Sequence, residues 1–185
     1  MTGLAADVAA AARSQAGRTA RATGEAFELA LDRYHRRLEA EGRAYVRRVG
    51  APIAVLGKVS TDQRGRHIFR AAWDGHQGVD FTGHTAHGVH IAIEAKTHAG
   101  PGAWDCGIDP SGEASENGAL QGRQWIELRR VELCGGIAFV LLRAWGREWA
   151  IPPGRLAAHV QQKGRRTVRP DEIDAIGVRG LEWMR

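Results

Sequence analysis

Between Val89 and Lys96 the chain changes character at every second residue. Val89, Ile91, Ile93 and Ala95 alternate with His90, Ala92, Glu94 and Lys96. A period of two is the mark of a β-strand with one buried face. Glu94 and Lys96 then emerge together on the face opposite Ile91 and Ile93. Upstream, a shorter run ends at Asp80, and a turn rich in Gly, Thr and His at residues 83–88 folds it back beside the strand. The hairpin brings Asp80 to the side of Glu94 and Lys96, so two carboxylates and one ammonium converge at a strand end.

Two carboxylates held close together repel each other, and a cation between them relieves that repulsion. An all-oxygen donor set suits magnesium, which binds through one or two carboxylates and keeps several waters. Manganese is expected to substitute for it. The neighbouring lysine can orient a water or offset charge developing on a phosphate. These parts suit phosphodiester hydrolysis, and Asp80, Glu94 and Lys96 resemble the D…ExK signature of the PD-(D/E)xK nucleases. The competing reading is a surface hairpin that carries these three residues by chance, so the rest of the chain has to discriminate.

With 185 residues the chain is long enough for one domain with a proper core. It has no run of eighteen apolar residues to span a membrane, and its Ala-rich start lacks the apolar centre of a signal peptide. We therefore expect a cytoplasmic protein. Cys106 and Cys134 stand far apart, which indicates neither a disulfide framework nor a zinc site. A formal charge of +5 favours an acidic partner such as nucleic acid. Lysine occurs only at positions 58, 96 and 163, so a lysine two residues after Glu94 is less easily dismissed as filler.

Read in order, residues 1–22 are expected to form a flexible basic arm and residues 23–185 a single domain. Thr23 is a candidate N-cap for a helix lasting to about Val46, with Phe27, Leu31, Tyr34 and Leu38 as its apolar stripe. Glu28, Asp32 and His35 make a second row. That row is either a solvated face or, through Glu28, a further contribution to the metal site. Pro52 to Val59 reads as the first strand of the sheet, and His67 to Trp73 as another. Between them Lys58, Arg64, Arg66 and Arg70 make a basic excursion over residues 58–70, with Gly65 near its tip, suited to entering or following a nucleic acid.

Residues 99–122 are acidic and rich in Gly, and are expected on the outer surface or poorly ordered. From Gly122 a helix buries Trp125, Leu128 and Val131 and carries Gln124 in its first turn. Ile137 to Leu142 is apolar on both faces, the pattern of a central strand. Glu148 to Ile151 reads as its antiparallel neighbour, and Pro152–Pro153 opens a further helix. Lys163, Arg165, Arg166 and Arg169 form a second basic cluster. The expected architecture is therefore α/β: a central mixed sheet flanked by helices, with a protruding basic stalk.

This order of elements resembles the RecU type of Holliday-junction resolvase, from Gly24 onward. Gly24 with Glu28, Asp80 with the aromatic after it, Ile93 to Lys96, Gln124, Gly135 to Phe139, and Gly164 to Thr167 followed by Asp171 to Ile173 each resemble a family segment. The departures are a longer 98–122 loop, a dissimilar excursion, and Val79 where the family carries a small hydroxyl residue. The resemblance implies a restriction-endonuclease-like core and a homodimer that makes paired cuts in a four-way DNA junction during recombination and repair. A two-fold symmetric substrate agrees with two equivalent sites.

On that reading Asp80, Glu94 and the Ala95 carbonyl hold magnesium, with Glu28 as a further contributor. Lys96 polarises the attacking water, and Gln124 orients the phosphate or Lys96. Lys58, Arg64, Arg66, Arg70, Lys163, Arg165, Arg166 and Arg169 bind backbone phosphates without reading sequence. Trp73 and Trp183 are candidate stacking platforms. The alternatives are a restriction-like or repair nuclease acting on other DNA, and a non-catalytic DNA-binding protein of the same fold. His76, His84, His87, His90 and His98 suggest a histidine metal site or an HNH-like nuclease, but their spacing fits neither and the surrounding pattern is strand and turn, not a ββα unit.

Overall fold

The computed structural model describes residues 3–50, 53–73, 78–115, 118–180 and 183. Six strands make the principal sheet, in the order β1 (Ala44–Arg48), β4 (Phe81–Thr85), β5 (His90–His98), β7 (Ile137–Ala144), β8 (Arg147–Ile151) and β10 (Val178–Arg179). Only the central β5–β7 pair is parallel, so the sheet is mixed. The parallel pair is joined through α2 (Gly122–Leu133), the helical crossover that a parallel connection requires.

Each face of the sheet has its own core. Phe27, Leu31, Tyr34 and Leu38 of α1 (Gly3–Ala40) pack with Phe81, Ile91, Ile93 and Leu141 on one face. Trp125 and Leu128 of α2, with Leu156 and Val160 of α3 (Pro153–Lys163), cover Ala92, Val140 and Leu142 on the other. Alternate residues of β7 therefore enter opposite cores, which is why its sequence is apolar throughout. Each fully buried Leu or Ile contributes about 2 kcal/mol from removal of apolar surface from water.

Several boundaries differ from the expectations. Thr23 is not an N-cap: α1 is continuous from Gly3, so the backbone expected as an arm continues the helix, in keeping with the helix propensity of its many alanines. The helix stops at Ala40, six residues early, and its expected last turn is strand β1 at the sheet edge. Gly42, at φ +66, makes the reversal, a conformation other residues rarely adopt. The second row of α1 is not a solvated face, because His35 is 2% exposed.

The strand expected to begin the sheet does not belong to it. β2 (Ile53–Thr61) pairs only with β3 (His67–Trp73), as a separate two-stranded ribbon with two register shifts. The excursion is thus longer than 58–70, taking in both strands. Residues 99–115 are also unlike the expected outer loop. Trp104, Cys106 and Ile108 are buried, as is Leu120, and β6 (Trp104–Asp105) pairs with β9 (Thr167–Val168). The apolar residues spaced through this segment anchor it, while its acids close local turns: Asp109 accepts the N–H groups of Ser111 and Glu113. The chain then passes through the short helix α4 (Ile173–Ile176) to β10.

Candidate active site

The register of β4 and β5 sets the site. Phe81 lies opposite Ile93, which places Asp80, just ahead of β4, beside Glu94. The Asp80 N–H donates to Glu94 Oε2 at 3.1 Å, and Asp80 Oδ2 accepts the Ala95 N–H at 2.8 Å. Glu94 Oε1 lies 2.7 Å from Lys96 Nζ, which donates to Gln124 Oε1 at 3.2 Å. Gln124 Oε1 also accepts the Gln121 N–H at 3.1 Å, so the first turn of α2 holds the amide in place. The expected carboxylates, lysine and glutamine thus form one hydrogen-bonded string across three elements.

Burial sets the electrostatics of this string. Glu94 is 1% exposed, and desolvation pushes its pKa up to about 8. The Asp80 charge pushes the same way, while Lys96 opposes both. Two carboxylates against one ammonium leave a formal excess of one negative charge. The Ala95 N–H and C=O point to the same edge of β5, and there β4 has already begun its departure past Phe81. The Ala95 carbonyl therefore faces the Asp80 side as a third oxygen. Among the described residues no group of three or more His, Cys, Asp or Glu side chains could by itself hold a metal ion. Two carboxylates and a carbonyl are nevertheless a donor set that fits magnesium.

Glu28 does not join these carboxylates. It pairs with Arg48, whose strand partner is Phe81, so it lies at the β1 edge near Asp80 but already carries a cation of its own. Among the expected phosphate binders, Arg64 and Arg66 sit at the tip of the ribbon, where Asp62 accepts the Arg64 N–H and pairs with the Arg66 guanidinium. The side chains of Lys58, Arg70 and Trp73, and the whole of His76, lie outside the described residues. The second basic cluster is largely engaged. Arg165 and, more loosely, Lys163 pair with Glu172, Arg169 donates its N–H to the same carboxylate, and Arg166 pairs with Asp105 at 2.8 Å. Trp183 is 9% exposed and packs beside Tyr34 and Phe139, which makes it a core residue, not a platform.

Glu127 is the neighbour that sequence reasoning missed. One turn after Gln124 on α2, it accepts the Val79 N–H at 3.3 Å, fixing the backbone just ahead of Asp80. Gly78 makes room for it, since a Cβ there would lie 2.3 Å from Glu127 Oε2. The spacing of three from Gln124 was the available signal.

Compared with known proteins, the chain matches no family model and no curated protein. No described helix is long and apolar enough to cross a membrane.

Proposed function

We propose that this chain is a divalent-cation-dependent endonuclease with a restriction-endonuclease-like core. The single observation that carries the reading is the bonded string Asp80–Glu94–Lys96–Gln124 at the point where β4 and β5 part. A buried acid raised to about 8 beside a second acid is an arrangement that stability alone disfavours, and such sites concentrate where chemistry is done.

Magnesium held by Asp80, Glu94 and the Ala95 carbonyl would supply the positive charge that offsets the phosphate and makes water a better nucleophile near neutral pH. The residues themselves do the rest. Asp80 is clipped to the Ala95 N–H, so one of its oxygens stays free to face the cation. Lys96 donates toward the attacking water or the non-bridging phosphate oxygen, where negative charge grows in the transition state. Gln124 keeps the lysine directed there, and Glu127 keeps the Asp80 segment from drifting.

The substrate we propose is branched DNA, a four-way junction cut by a homodimer with one site per subunit. In support, the β2–β3 ribbon stands apart from the principal sheet and carries Arg64 and Arg66 at its tip, suited to reaching into an open branch point. A labelled four-way junction and a matched linear duplex, each incubated with magnesium and with chelator, test this. We expect paired cuts near the branch point of the junction only, abolished by chelator and by Lys96→Ala. Equal cleavage of the duplex leaves a nuclease without junction preference, and binding without cleavage refutes the enzyme.

A further inference from the structure

We propose that Trp145, backed by His98, is a stacking platform for an unpaired nucleobase next to the phosphate that is cut. This rests on the nuclease reading above. Glu94, Lys96 and His98 are alternate residues of β5, so they share one face and His98 lies ~7 Å beyond Lys96 along the strand. That distance is about two steps of the 3.4 Å rise between nucleotides of one strand. His98 is paired in register with Ala144, which places Trp145 beside it at the β7–β8 turn.

The turn is an unusual place for tryptophan. Trp145 and Gly146 alone connect β7 to β8, with φ +47 and +72. A two-residue turn with both φ values positive favours Asn-Gly, and a bulky side chain at the first position is strained. Among the described residues Trp145 is the only one other than glycine with positive φ. Strain of this kind persists where neighbouring structure enforces it and clusters at binding sites.

The enforcing contacts are visible. Trp145 Nε1 donates to the Gly102 carbonyl at 3.0 Å, and the same carbonyl lies 3.1 Å from His98 Nε2. The Trp145 ring meets His98 edge-on at 5.6 Å and Trp149 edge-on at 5.8 Å. These contacts hold the ring against the core beside Trp149, while the residue stays only half-buried. Trp145, His98 and Arg143 line a cavity of about 320 Å³ at this end of the sheet. The Arg143 guanidinium stands over the Phe27 ring at 4.4 Å and pairs with Glu148 at 2.6 Å, so it too is held in place. An indole fixed in the lining of this cavity, beside the residue two places past Lys96 on β5, has the chemistry to stack on a flat base.

The test is a cycle between protein and DNA. Binding of a labelled four-way junction is measured in chelator for wild type, Trp145→Asn and Trp145→Phe, with single abasic sites walked through the nucleotides flanking the branch point. We expect one position where loss of the base weakens wild type ~10-fold and leaves Trp145→Asn unaffected. On the intact junction Trp145→Asn binds ~10-fold more weakly, Trp145→Phe stays within a few-fold of wild type, and Trp145→Asn stays folded because a better turn residue offsets part of the packing lost against Trp149. Equal abasic losses in wild type and Trp145→Asn, or unchanged binding by Trp145→Asn, overturn the platform. So does a fall in melting temperature and affinity together in both variants. Cleavage with magnesium is followed in parallel: coupling in binding with no wild-type cleavage keeps the platform and sinks the nuclease, and cleavage without coupling does the reverse.

Discussion

Glu94 and Glu172 each sit against a cation, yet burial pushes Glu94 up to about 8 while hydrogen bonding to Arg165 pulls Glu172 down to about 2. Glu94 has one ammonium, a second carboxylate beside it and almost no water. Glu172 is 13% exposed and collects Arg165, the Arg169 N–H, Lys163 and His159 around one carboxylate. The Glu172 cluster is electrostatically complete and ties the end of α3 to the segment before α4. The Glu94 site is incomplete: with both acids ionised it is one positive charge short. An acid–base pair read from sequence does not reveal which kind it is; burial and the number of donors decide.

The largest expected effect lies at the incomplete site. Lys96→Ala should lower single-turnover cleavage by about 10³-fold, as for loss of a group that stabilises transition-state charge, while junction binding changes little. If binding falls in step with cleavage, Lys96 serves affinity and the contrast loses its functional side.

Removing the complete cluster should instead cost stability. Glu172→Gln should destabilise the fold by about 1–3 kcal/mol at pH 7, the value of charge-assisted hydrogen bonds, measured by denaturant unfolding. The depressed folded pKa gives the sign. Wild type holds this stabilisation above about pH 4.5 and loses it as pH falls toward about 2, so the difference between the two proteins should close over that window.

Glu94→Gln should act in the opposite direction. The folded pKa of Glu94 is raised, so the unfolded chain releases a proton that the folded one keeps, and cation-free wild type loses stability as pH rises from about 4.5 to about 8. Glu94→Gln removes that loss. It should melt close to wild type at pH 5 and be more stable by about 1–2 kcal/mol at pH 9. A variant less stable at both pH values would mean that Glu94 is as satisfied as Glu172.

The smallest effect is expected at Glu127. Glu127→Gln keeps an acceptor for the Val79 N–H and should stay within about 3-fold of wild type in kcat, whereas Glu127→Ala should lose about 10-fold in kcat with KM unchanged, for about 1.4 kcal/mol of lost positioning.

What could be read beforehand follows from periodicity. The alternation of Val89 to Ala95 gave β5, the 3.6-residue stripe from Phe27 to Leu38 gave the buried face of α1, and the doubly apolar run at Ile137 gave the central strand. The string from Asp80 to Gln124 was legible because its members sit at fixed spacings on those elements. The missed features depend on partners distant in sequence. β1 looked helical because its residues continue an apolar pattern past Leu38, and only the turn at Gly42 redirects them. β2 reads as an ordinary strand, and nothing local says that it pairs with β3 alone. Arg165 and Arg166 looked free for phosphate because Glu172 and Asp105, 7 and 61 residues away, approach them only in the fold. Trp145 was passed over because its positive φ is invisible in the letters Trp-Gly.

One measurement separates the two acids most directly: magnesium-dependent cleavage of a four-way junction by wild type, Glu94→Gln and Glu172→Gln, all assayed well below their melting temperatures. We expect Glu94→Gln to be folded, able to bind the junction and inactive, and Glu172→Gln to be less stable but to cut at a rate within a few-fold of wild type. Cleavage retained by Glu94→Gln would show that the Asp80–Glu94–Lys96 string is not the hydrolytic centre.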